Sequence, residues 1–588
     1  MIDILFYDFE VLRYDWLVVL IDPTKLEPYV IINNPERLKW LYEQYKNDIW
    51  IGFNSRHYDQ YVLKGIVCGF DAWEINDYII NRDCPGWSFS SLLRKIFLIN
   101  YDVAPLNQSL KQLEGFQGHN IHESGVDFRI DRPLTDAEIT ETVEYCLNDV
   151  KETMGIFAEN VADFEVQLEL IKEFNLPLSD MAKTQTQLTA EILQAEKHDY
   201  KDDFDLDLQP YLENIKKYKK VVDWYKSFVT KEHLSDYEKE KIYSMKLEID
   251  VAGAPHKFGW GGAHGAKPKY HGKGWFLHID VHQYYPSLVI SNNFFPRSVS
   301  EEGKRRYAMM KDESVRLKAF PELKKKRNGY KLCNNKMTGG MKDKNNKLYD
   351  PKNNNNICVV GQLAILLLIE MLEPYVELIQ SNTDGIIVKL PDLKTYEIVD
   401  DVCWEWEDLT GVSLGFDPLI KEIYQKDVNS YLFVDVEGYV ERKGGYVKEL
   451  NPLDNDLPII NKALVDYMTK GIPVEKTILD CDNLIMFQKI CKLTSKFEKV
   501  YHTTFCDAGR SGVTKEYFNK CYRIFASTDK NDGTVYKVEE GRLYKFANTS
   551  ENSFIENGDI TEMKTPSKLD YQWYINLANK RLRQYGVN

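Results

Sequence analysis

The sequence lacks the features that mark secreted and membrane-spanning proteins. Its ten cysteines form no C-x-x-C pair, which argues against a zinc site or a disulfide framework and fits a reducing cytosol. The start, MIDILFYDFEVL, has no basic stretch before a cleavable apolar run, so no signal peptide is expected. The most apolar segment, ICVVGQLAILLLIEML, is interrupted by Gln362 and Glu370 and predicts a buried helix. We therefore expect a cytoplasmic protein without membrane contact.

Basic charge is scarce overall, but it is unevenly distributed. The 588 residues carry a net charge of −15, and residues 1–150 hold 13 Lys and Arg against 24 Asp and Glu. Residues 301–350 reverse this balance, with 15 against 7. Because phosphate backbones are held mainly by Lys and Arg, the total charge speaks against nucleic-acid binding, whereas this one segment favours it.

The length predicts several domains, since one domain holds about 100–200 residues. A mixed α/β unit opens the chain, and a helix-rich stretch follows over about residues 143–247. A glycine cluster, FGWGGAHGAKPKYHGKG, precedes the predicted strand WFLHIDV. Residues 301–350 are predicted to form a helix, a turn and a second helix. The segment SYLFVDVEGYVERKGGYV is predicted to form a hairpin. There is no internal repeat, and the tract DPKNNNNI is expected to be a polar loop.

Four carboxylates in the first 150 residues stand in or beside predicted strands and helices, and two of them form a close pair. Asp8 and Glu10 lie two apart on a predicted strand, so both point to one face. Asp59 follows a strand-like run, and Asp149 lies on a predicted helix. The two carboxylates on one side of the strand repel each other unless a cation neutralises them, and Mg²⁺ and Mn²⁺ take oxygen ligands. For the first pair alone, a solvated strand face is the alternative.

The helix that carries Asp149 has a well-marked start. Thr135 is a typical N-cap, with Glu138 three residues later to complete a capping box. Tyr145 precedes Asp149 by one turn and shares its flank. A tyrosine in that position can orient a water for attack on phosphorus; the alternative is a partly buried tyrosine at the edge of the core.

A second pair of acids stands in the middle of the chain. WFLHIDVHQYYPSLV places Asp280 at the end of an apolar strand, where an aspartate alone is typical of a cap. ELIQSNTDGIIVKL places Asp384 in a tight turn between two strands, with the neutral Asn382 two residues before it. The basic segment 301–350 lies between these two acids. Its run of basic residues at 324–327 is typical of a solvated helix face. Contact with phosphate by one of these residues, or by Arg316 or Lys318, is the alternative.

The acids of the first 150 residues fall into an ordered set of motifs. D-x-E at 8–10, N-x-x-x-Y-D at 54–59 and Y-x-x-x-D at 145–149 resemble the three motifs of the DEDDy 3′–5′ exonucleases, which have an RNase H-like fold. The resemblance implies that Tyr145 orients water and that Asn54 and Tyr58 contact a frayed 3′ end of DNA. It implies that two divalent ions are held by Asp8, Glu10, Asp59 and Asp149.

Three later motifs resemble those of family B DNA polymerases, particularly the compact phage type. DVHQYYPS is similar to D-x-x-S-L-Y-P-S, KLCNNKMTGG to K-x-x-x-N-x-x-Y-G, and NTDG to D-T-D. WGGAHG at 260–265 is similar to the glycine-rich connector, and Tyr431 in KDVNSYLFV stands where the K-x-Y primer-strand motif ends. The resemblance covers nearly the whole chain.

That resemblance implies a set of residue roles. Two Mg²⁺ ions per active site, with Mn²⁺ as a substitute, would be bridged by Asp280, Asp384 and the carbonyl of Val281. A dNTP would be contacted by Lys331, Asn335 and Tyr285, the last lying under the sugar. DNA would be contacted by Gly261, Gly262 and Tyr431.

The resemblance also implies a multidomain α/β and α+β fold, with an RNase H-like exonuclease domain followed by a right-hand polymerase of palm, fingers and thumb. The expected boundaries are 1–165 for the exonuclease, 166–255 for a helical connecting region, 256–300 for the first part of the palm, 301–344 for the fingers, 345–450 for the second part of the palm, and 451–588 for the thumb and C-terminal region.

The implied activity is template-directed addition of dNTPs to a primer 3′-OH with 3′–5′ exonuclease proofreading, in phage genome replication in the host cytoplasm. The implied partners are primer–template DNA and dNTPs, with a helicase, a single-strand-binding protein or a processivity factor as helpers. Only 51 residues separate Asp280 from Lys331, and 45 separate Gly339 from Asp384. These spacings leave no room for the insertions of protein-primed phage polymerases, so an ordinary nucleic-acid primer is expected.

Three positions depart from the family motifs. Thr338 replaces the fingers tyrosine, Asn429 replaces the lysine of K-x-Y, and Asn382 replaces the first acid of D-T-D. In the family resembled, the second acid of D-T-D is chiefly required, so Asp384 is the expected essential ligand. The departures leave an alternative, a 3′–5′ exonuclease whose polymerase half is a DNA-binding scaffold. A non-enzymatic acidic binding protein is disfavoured by the two acid sets.

Overall fold

The protein is described by a computed structural model that covers residues 4–25, 27–121, 123–506 and 511–587. It is a mixed α/β protein with several sheets. Its chain divides into two compact units. The first contains Met1–Lys183, Leu450–Ile460 and Ile478–Ile575; the second contains Thr184–Glu449, Asn461–Thr477 and Asn576–Asn588. The region 451–588 is therefore divided between both units, and the predicted domain boundaries stay predictions.

A five-stranded sheet opens the first unit, with the order β3-β2-β1-β4-β5. Its strands are β1 (Ile4–Val11), β2 (Trp16–Ile21), β3 (Tyr29–Ile32), β4 (Ile49–Gly52) and β5 (Ile99–Asp102). β1 pairs antiparallel with β2 and parallel with β4. Tyr7, Phe9 and Val11 enter the core on one face of β1, so Asp8 and Glu10 take the opposite face, as the two-residue period requires.

Six α-helices lie in the described residues of the same part of the chain. They are α1 (Pro35–Tyr45), α2 (Asp59–Cys68), α3 (Ala72–Asn76), α4 (Leu110–Gln117), α5 (Asp136–Glu159) and α6 (Val161–Glu173). α2, α3 and α5 pack on β1, and α5 also packs against β2. α5 begins with the predicted capping box, in which Thr135 accepts from the Glu138 backbone and Glu138 accepts from the Thr135 backbone. The helix thereby brings its inner flank to the acidic face of β1.

The second unit contains a ten-stranded sheet, with the order β15-β14-β13-β9-β11-β10-β8-β7-β6 and β12 paired to β9. The elements in chain order are α7 (Gln185–Ile192), α8 (Lys219–Lys226), α9 (Asp236–Ser244), β6 (Leu247–Val251), β7 (Ala254–Phe258), β8 (His264–Ala266), β9 (Tyr270–Val281), α10 (Tyr284–Ser291), α11 (Glu301–Arg316), α12 (Lys324–Gly340), α13 (Pro351–Leu372), β10 (Glu377–Ser381), β11 (Gly385–Leu390), α14 (Thr395–Thr410), β12 (Leu414–Phe416), β13 (Ile420–Asp427), β14 (Ser430–Asp435) and β15 (Val440–Lys443). The predicted basic helix pair, α11 and α12, is confirmed, as are both predicted hairpins.

Helix α13 is the predicted buried helix, but it begins earlier than the sequence suggests. The prediction of a loop at DPKNNNNI is wrong, because residues 353–356 form the first turns of α13 and are all buried. Asp350 caps the helix, the Asn353 amide donates to the Phe295 carbonyl at 2.7 Å, and the Asn355 amide donates to the Asp203 carbonyl at 2.8 Å. Tertiary hydrogen bonds thus satisfy amides that otherwise favour turns.

By length and composition alone, α13 could also cross a membrane, and it is the one such helix in the described ranges. However, 89% of its most apolar window is buried within the protein, which is typical of a core helix.

The C-terminal segment contributes to both units. Its elements are α15 (Pro458–Lys470), α16 (Val474–Leu479), β16 (Lys489–Lys492), β17 (Lys499–Cys506), β18 (Ser511–Tyr517), β19 (Cys521–Ala526), β20 (Asp532–Glu539), β21 (Arg542–Lys545), β22 (Ser553–Ile555) and α17 (Tyr571–Gln584). Two small antiparallel sheets, β16-β19-β22 and β18-β17-β20-β21, belong to the first unit. The buried Arg523 on β19 donates to the carbonyl of Gly115 within α4 and to that of His119 just after it, which ties the sheet of β19 to that helix.

Candidate active sites

The structure brings together the four acids predicted from the first 150 residues. Asp8 and Glu10 extend from β1, Asp59 is the first residue of α2, and Asp149 lies on the inner flank of α5. Burial raises the pKa of Asp8 and of Glu10, and the charges of the other acids in the group raise both further. These carboxylates are therefore close enough to repel one another, which is the electrostatic condition for a cation site.

Asp59 is the most enclosed of the four. Its Oδ1 accepts a hydrogen bond from the Phe9 backbone N–H at 3.1 Å, which fixes the carboxylate against β1. Burial raises its pKa to about 7, although that backbone hydrogen bond lowers it. The oxygen donors of Asp8, Glu10 and Asp59 suit Mg²⁺ or Mn²⁺. The Cys146 thiol also lies 3.6 Å from Asp8 Oδ2, but burial raises its pKa, so it stays protonated and donates.

Lys111 is a member of this cluster that the sequence analysis missed. Its Nζ lies 2.7 Å from Asp149 Oδ1, 2.9 Å from Glu114 Oε1 and 4.7 Å from the centre of the Tyr145 ring. Lys111 and Glu114 are both buried, and burial raises the pKa of Glu114 to about 8. The only local signal was a Lys–Glu pair three residues apart on the apolar side of a short helix, which is also typical of a surface ion pair.

Tyr145 lies as predicted beside Asp149. Its hydroxyl forms a hydrogen bond with the Asp149 carboxylate one turn later. Burial, followed by the charges of Asp149, Glu10 and Asp8, raises the pKa of Tyr145. The phenol therefore remains protonated beside the acids and can donate a hydrogen bond.

The two predicted 3′-end contacts differ in their surroundings. Burial raises the pKa of Tyr58, and the charges of Asp59, Glu10 and Asp8 raise it further, so Tyr58 lies beside the acids. The Tyr58 hydroxyl donates to Asn76 Oδ1 at 2.8 Å. Asn54 is exposed in the left-handed region at φ 57°, and its backbone N–H donates to Asp102 Oδ1 at 2.9 Å.

The buried acids predict how the stability of the metal-free protein depends on pH. Burial raises the folded-state pKa of Asp59 to about 7, well above the value of about 3.9 for an exposed aspartate, so its contribution to stability is present at low pH and is lost as the pH rises through about 7. Asp59→Asn removes this titration and keeps an oxygen for the Phe9 N–H. In EDTA, we expect the variant to unfold a few degrees above wild type near ~pH 8, and less so near ~pH 5.

Thermal unfolding at both pH values in EDTA measures this effect, and Glu144→Gln on the exposed side of α5 is the matched control. Adding Mg²⁺ should remove the advantage of Asp59→Asn near ~pH 8. An equal shift at both pH values would contradict the electrostatic origin.

The second pair of acids meets in the sheet of the second unit. β9 and β11 pair antiparallel with Asp280 opposite Gly385, and the Val281 backbone N–H donates to the Asp384 carbonyl at 2.7 Å. A Cβ at residue 385 would lie 2.7 Å from the Ile279 carbonyl oxygen, so the close approach requires glycine. Burial raises the pKa of Asp280 to about 6, with Asp384 as the next cause. Asp280, Asp384 and the Val281 carbonyl form an oxygen-rich set that suits Mg²⁺.

Asn382 shapes the turn that carries Asp384. Its Oδ1 accepts from the Thr383 N–H at 2.9 Å, and its side chain forms a hydrogen bond with His264 from the glycine-rich segment. A Cβ at Gly262 would lie 2.2 Å from Thr383 Oγ1, so this segment packs directly on the turn. Gly261 accepts from the Gln362 amide through its carbonyl at 2.7 Å.

A cavity of about 660 Å³ opens at Asp280. Four cations contribute to its lining: Lys311, Lys318, Arg327 and Lys331. Lys331 was predicted, Lys318 and Arg327 belonged to the undecided group, and Lys311 was missed because nothing in its local sequence separates it from a solvated lysine. Asn335 is exposed one turn after Lys331 on the same face of α12, outside this lining. A cavity with a carboxylate at one end and cations along it suits a polyanion bound through a metal ion.

The two predicted tyrosines flank the acids. Tyr285 is half-buried on α10, and its hydroxyl forms a hydrogen bond with the Cys358 thiol of α13. Tyr431 on β14 is buried, and its hydroxyl donates to Glu441 Oε1 at 3.1 Å. Burial raises the pKa of Tyr431, and the charges of Glu441, Asp384 and Asp280 raise it further. Lys443 pairs with Tyr431 in register, and its Nζ lies 5.9 Å from the Tyr431 ring centre.

Thr338, which stands where the family motif has a tyrosine, is buried within α12. It is 9% exposed, and its hydroxyl donates to the Asn335 carbonyl within α12 at 3.0 Å.

Comparison with known proteins finds no family model and no curated protein that matches the chain. Among solved structures, the chain is similar to the family B DNA polymerase from the hyperthermophilic archaeon Pyrobaculum calidifontis, with a TM-score of 0.42 and 12% sequence identity. The alignment covers 100% of this chain and 78% of that polymerase.

Proposed function

We propose that the protein is a template-directed DNA polymerase that adds dNTPs to a primer 3′-OH and proofreads with a 3′–5′ exonuclease. One observation carries the proposal: Asp280 on β9 lies near Asp384, the residue before β11, and Asp280 lines a cavity to which four cations contribute. Supporting it, a second acid group with a hydrogen-bonded tyrosine is built in the other unit. The two sites match the two halves of such an enzyme.

In the polymerase site, charge grows on the α-phosphate and on the leaving pyrophosphate as the primer 3′-OH attacks in line. Mg²⁺ bound by Asp280, Asp384 and the Val281 carbonyl would supply Lewis-acid stabilisation of these oxygens. Lys331, Lys311 and Arg327 face the same cavity and would neutralise the triphosphate. Asp280 binds a cation more readily once ionised, and its raised pKa of about 6 still leaves it mostly ionised near neutral pH.

Tyr285 would support the sugar of the incoming nucleotide. Tyr285 is half-buried on α10, and its hydroxyl lies beside the Cys358 thiol and within the influence of the Asp384 charge. A ring at that position would exclude a 2′-OH by bulk, and the enzyme would select deoxynucleotides.

In the exonuclease site, Asp8, Glu10, Asp59 and Asp149 would hold two divalent ions that stabilise the attacking and leaving oxygens of a phosphodiester. Tyr145 stays protonated and is positioned by Asp149, so its hydroxyl can orient a water. Lys111 already neutralises part of the charge of Asp149 and would draw the scissile phosphate toward the acids. Tyr58 lies beside the group, where a 3′ nucleotide would enter.

We further propose that the enzyme extends an ordinary nucleic-acid primer during phage genome replication, with helper proteins for processive strand displacement. Extension of a priming protein's hydroxyl by the pure enzyme would contradict this. A second candidate is an exonuclease with a DNA-binding polymerase half. The observation that favours it is the buried Thr338, because the polymerase motif that this segment resembles has a tyrosine ring at that position.

A primer-extension assay separates the two candidates. A 5′-labelled primer annealed to a longer template is incubated with Mg²⁺ and rising concentrations of dNTPs. We expect shortening without dNTPs and growth to the end of the template as dNTPs are added. If the wild-type protein only shortens the primer at every dNTP concentration, the polymerase proposal is wrong and the second candidate stands.

Lys331→Ala is expected to weaken dNTP use. Loss of one cation from the triphosphate cavity should raise KM for dNTPs about tenfold or more, since a charge-assisted contact contributes about 1.5–3 kcal/mol. The measurement is single-nucleotide incorporation as a function of dNTP concentration. Lys336→Ala is the matched control, because Lys336 lies on the same helix outside the cavity lining. An unchanged KM in Lys331→Ala would remove this lysine from the triphosphate site.

A further inference from the structure

A second cavity in the same unit, of about 480 Å³, has no part in the catalysis proposed above. Its walls come from α9, the glycine-rich segment, the segment after α12 and the first turn of α13. The residues that matter are Tyr243, Trp260, Lys342, Lys344, Tyr349 and Asn354. The volume lies within the range of about 300–1,000 Å³ that is typical of small-ligand sites.

Two buried polar groups line this cavity with unused hydrogen-bonding capacity. Asn354 is 6% exposed; its amide nitrogen makes only a 3.5 Å contact with Asn355, and its oxygen accepts no hydrogen bond from the described residues. Tyr349 is 5% exposed, and its hydroxyl has no hydrogen-bond partner in the part of the chain that the structure describes. Both side chains line the cavity, where a ligand with both a donor and an acceptor can form hydrogen bonds with them.

The charges of the cavity favour a ligand whose inserted part is neutral. Asp203 is matched by Lys239, with Nζ 2.6 Å from its Oδ2, and by the Tyr243 hydroxyl at 3.1 Å. At the mouth, Lys344 lies 3.6 Å from Asp236. Lys342 is exposed and has no carboxylate at ion-pair distance among the described residues. Glu240 is an exposed third acid of the lining, so three acids balance three lysines in total charge, and Lys342 is the lysine that is available for a contact at the rim.

The walls suit a flat, aromatic ligand. Trp260 and Tyr243 meet edge to face with ring centres 5.9 Å apart, and Tyr243 is 37% exposed. Nucleobases stack on aromatic side chains and form hydrogen bonds with amides through their edges. Aromatic walls, an amide, a hydroxyl and a lysine at the rim correspond to the base and phosphate of one nucleotide.

The cavity is linked to the polymerase site through α13. Asn354 lies one turn before Cys358, whose thiol bonds to Tyr285, and Lys342 acts on the same thiol electrostatically. We propose that this cavity, named the Asn354 pocket, holds the base of the unpaired template nucleotide next in line to be copied, with its phosphate at Lys342. This inference rests on the proposed function, since only a template-directed polymerase presents an unpaired template nucleotide next to its active site.

The test uses a ternary complex of the full chain with a dideoxy-terminated primer, the matching dNTP and Ca²⁺. The template carries 2-aminopurine at the first unpaired position beyond the copied base, and acrylamide quenching measures its exposure. In wild type we expect several-fold protection relative to free DNA. Tyr349→Phe, which removes only the hydroxyl, and Asn354→Leu should each weaken binding of the overhang about two- to tenfold. An abasic site at that position should abolish these differences.

Tyr237→Phe is the matched control, because Tyr237 is 76% exposed on α9 and lies outside the pocket. If wild type extends primers but leaves 2-aminopurine as quenchable as in free DNA, or both variants match wild type, the pocket proposal is overturned while the proposed function stands. If wild type extends no primer but protects 2-aminopurine in a single-stranded oligonucleotide, with protection lost in the variants, the proposed function fails and base binding by the pocket stands. If a free deoxynucleoside monophosphate removes the protection of 2-aminopurine and binds equally well to a complex without a template overhang, the assignment of the pocket to the template is overturned.

Discussion

Asp384→Ala is expected to abolish primer extension while leaving exonuclease activity intact. The substitution removes the carboxylate nearest in charge to Asp280, which lines the cavity of the second unit, and with it a proposed ligand of a divalent cation. A metal ion contributes several kcal/mol to stabilising the transition state, so the extension rate should fall at least about a thousandfold. Single-turnover incorporation gives the rate, and degradation of a single-stranded primer gives the exonuclease activity.

Two further variants separate the position of the acid from its charge. Asp400→Ala, on the exposed face of α14, removes an acid of the same unit and should leave both activities unchanged. Asn382→Asp combined with Asp384→Asn keeps the net charge but moves the acid by two residues. It should stay inactive, because the side chain at 382 is engaged by the Thr383 N–H and by His264. Normal extension by Asp384→Ala would end the proposal for this site.

The double change Asp8→Ala/Glu10→Ala should have the opposite effect. It removes both carboxylates that β1 contributes to the acid group, so degradation of a single-stranded primer should fall at least about a thousandfold. Extension should stay within about twofold of wild type, because the acids of the two sites lie in separate compact units. The same two assays measure both effects.

Glu144→Ala provides the control, since it removes an exposed acid from α5 without touching the group. A mismatched primer end adds a sharper readout: wild type should remove the mismatch before it extends, whereas the double variant should stall on it. Retained degradation by the double variant would show that the acids do not hold the catalytic ions. Loss of extension together with degradation would contradict independent sites.

Local sequence patterns were sufficient for much of the scaffold around both candidate sites. The two-residue period of β1 places Asp8 and Glu10 on one face, and the capping box at Thr135 sets the start of α5. Apolar runs around residues 382–385 predicted a hairpin, which β10 and β11 form. Such patterns work because strand alternation, caps and tight turns depend on residues close in sequence.

Buried polar residues were the main failure of local reasoning. The tract at 353–356 has the composition of a loop, yet it is helical because distant carbonyls accept from its amides. Lys111 lies 38 residues before Asp149, and only the packing of α4 beside α5 brings their charges to 2.7 Å. In both cases the residues near in sequence give no indication of the distant contact partner.

By itself, the sequence determined which acids and tyrosines are available, which strand face or helix flank each takes, and the resemblance from which the proposed activity derives. Only the tertiary structure decided that Lys111 enters the acid group, that Lys311 lines the cavity at Asp280, and that Asn354 and Tyr349 face a common pocket. The reason is physical: periodicity and capping act over a few residues, whereas burial, charge pairing and cavity lining arise from side chains that meet only when distant elements pack.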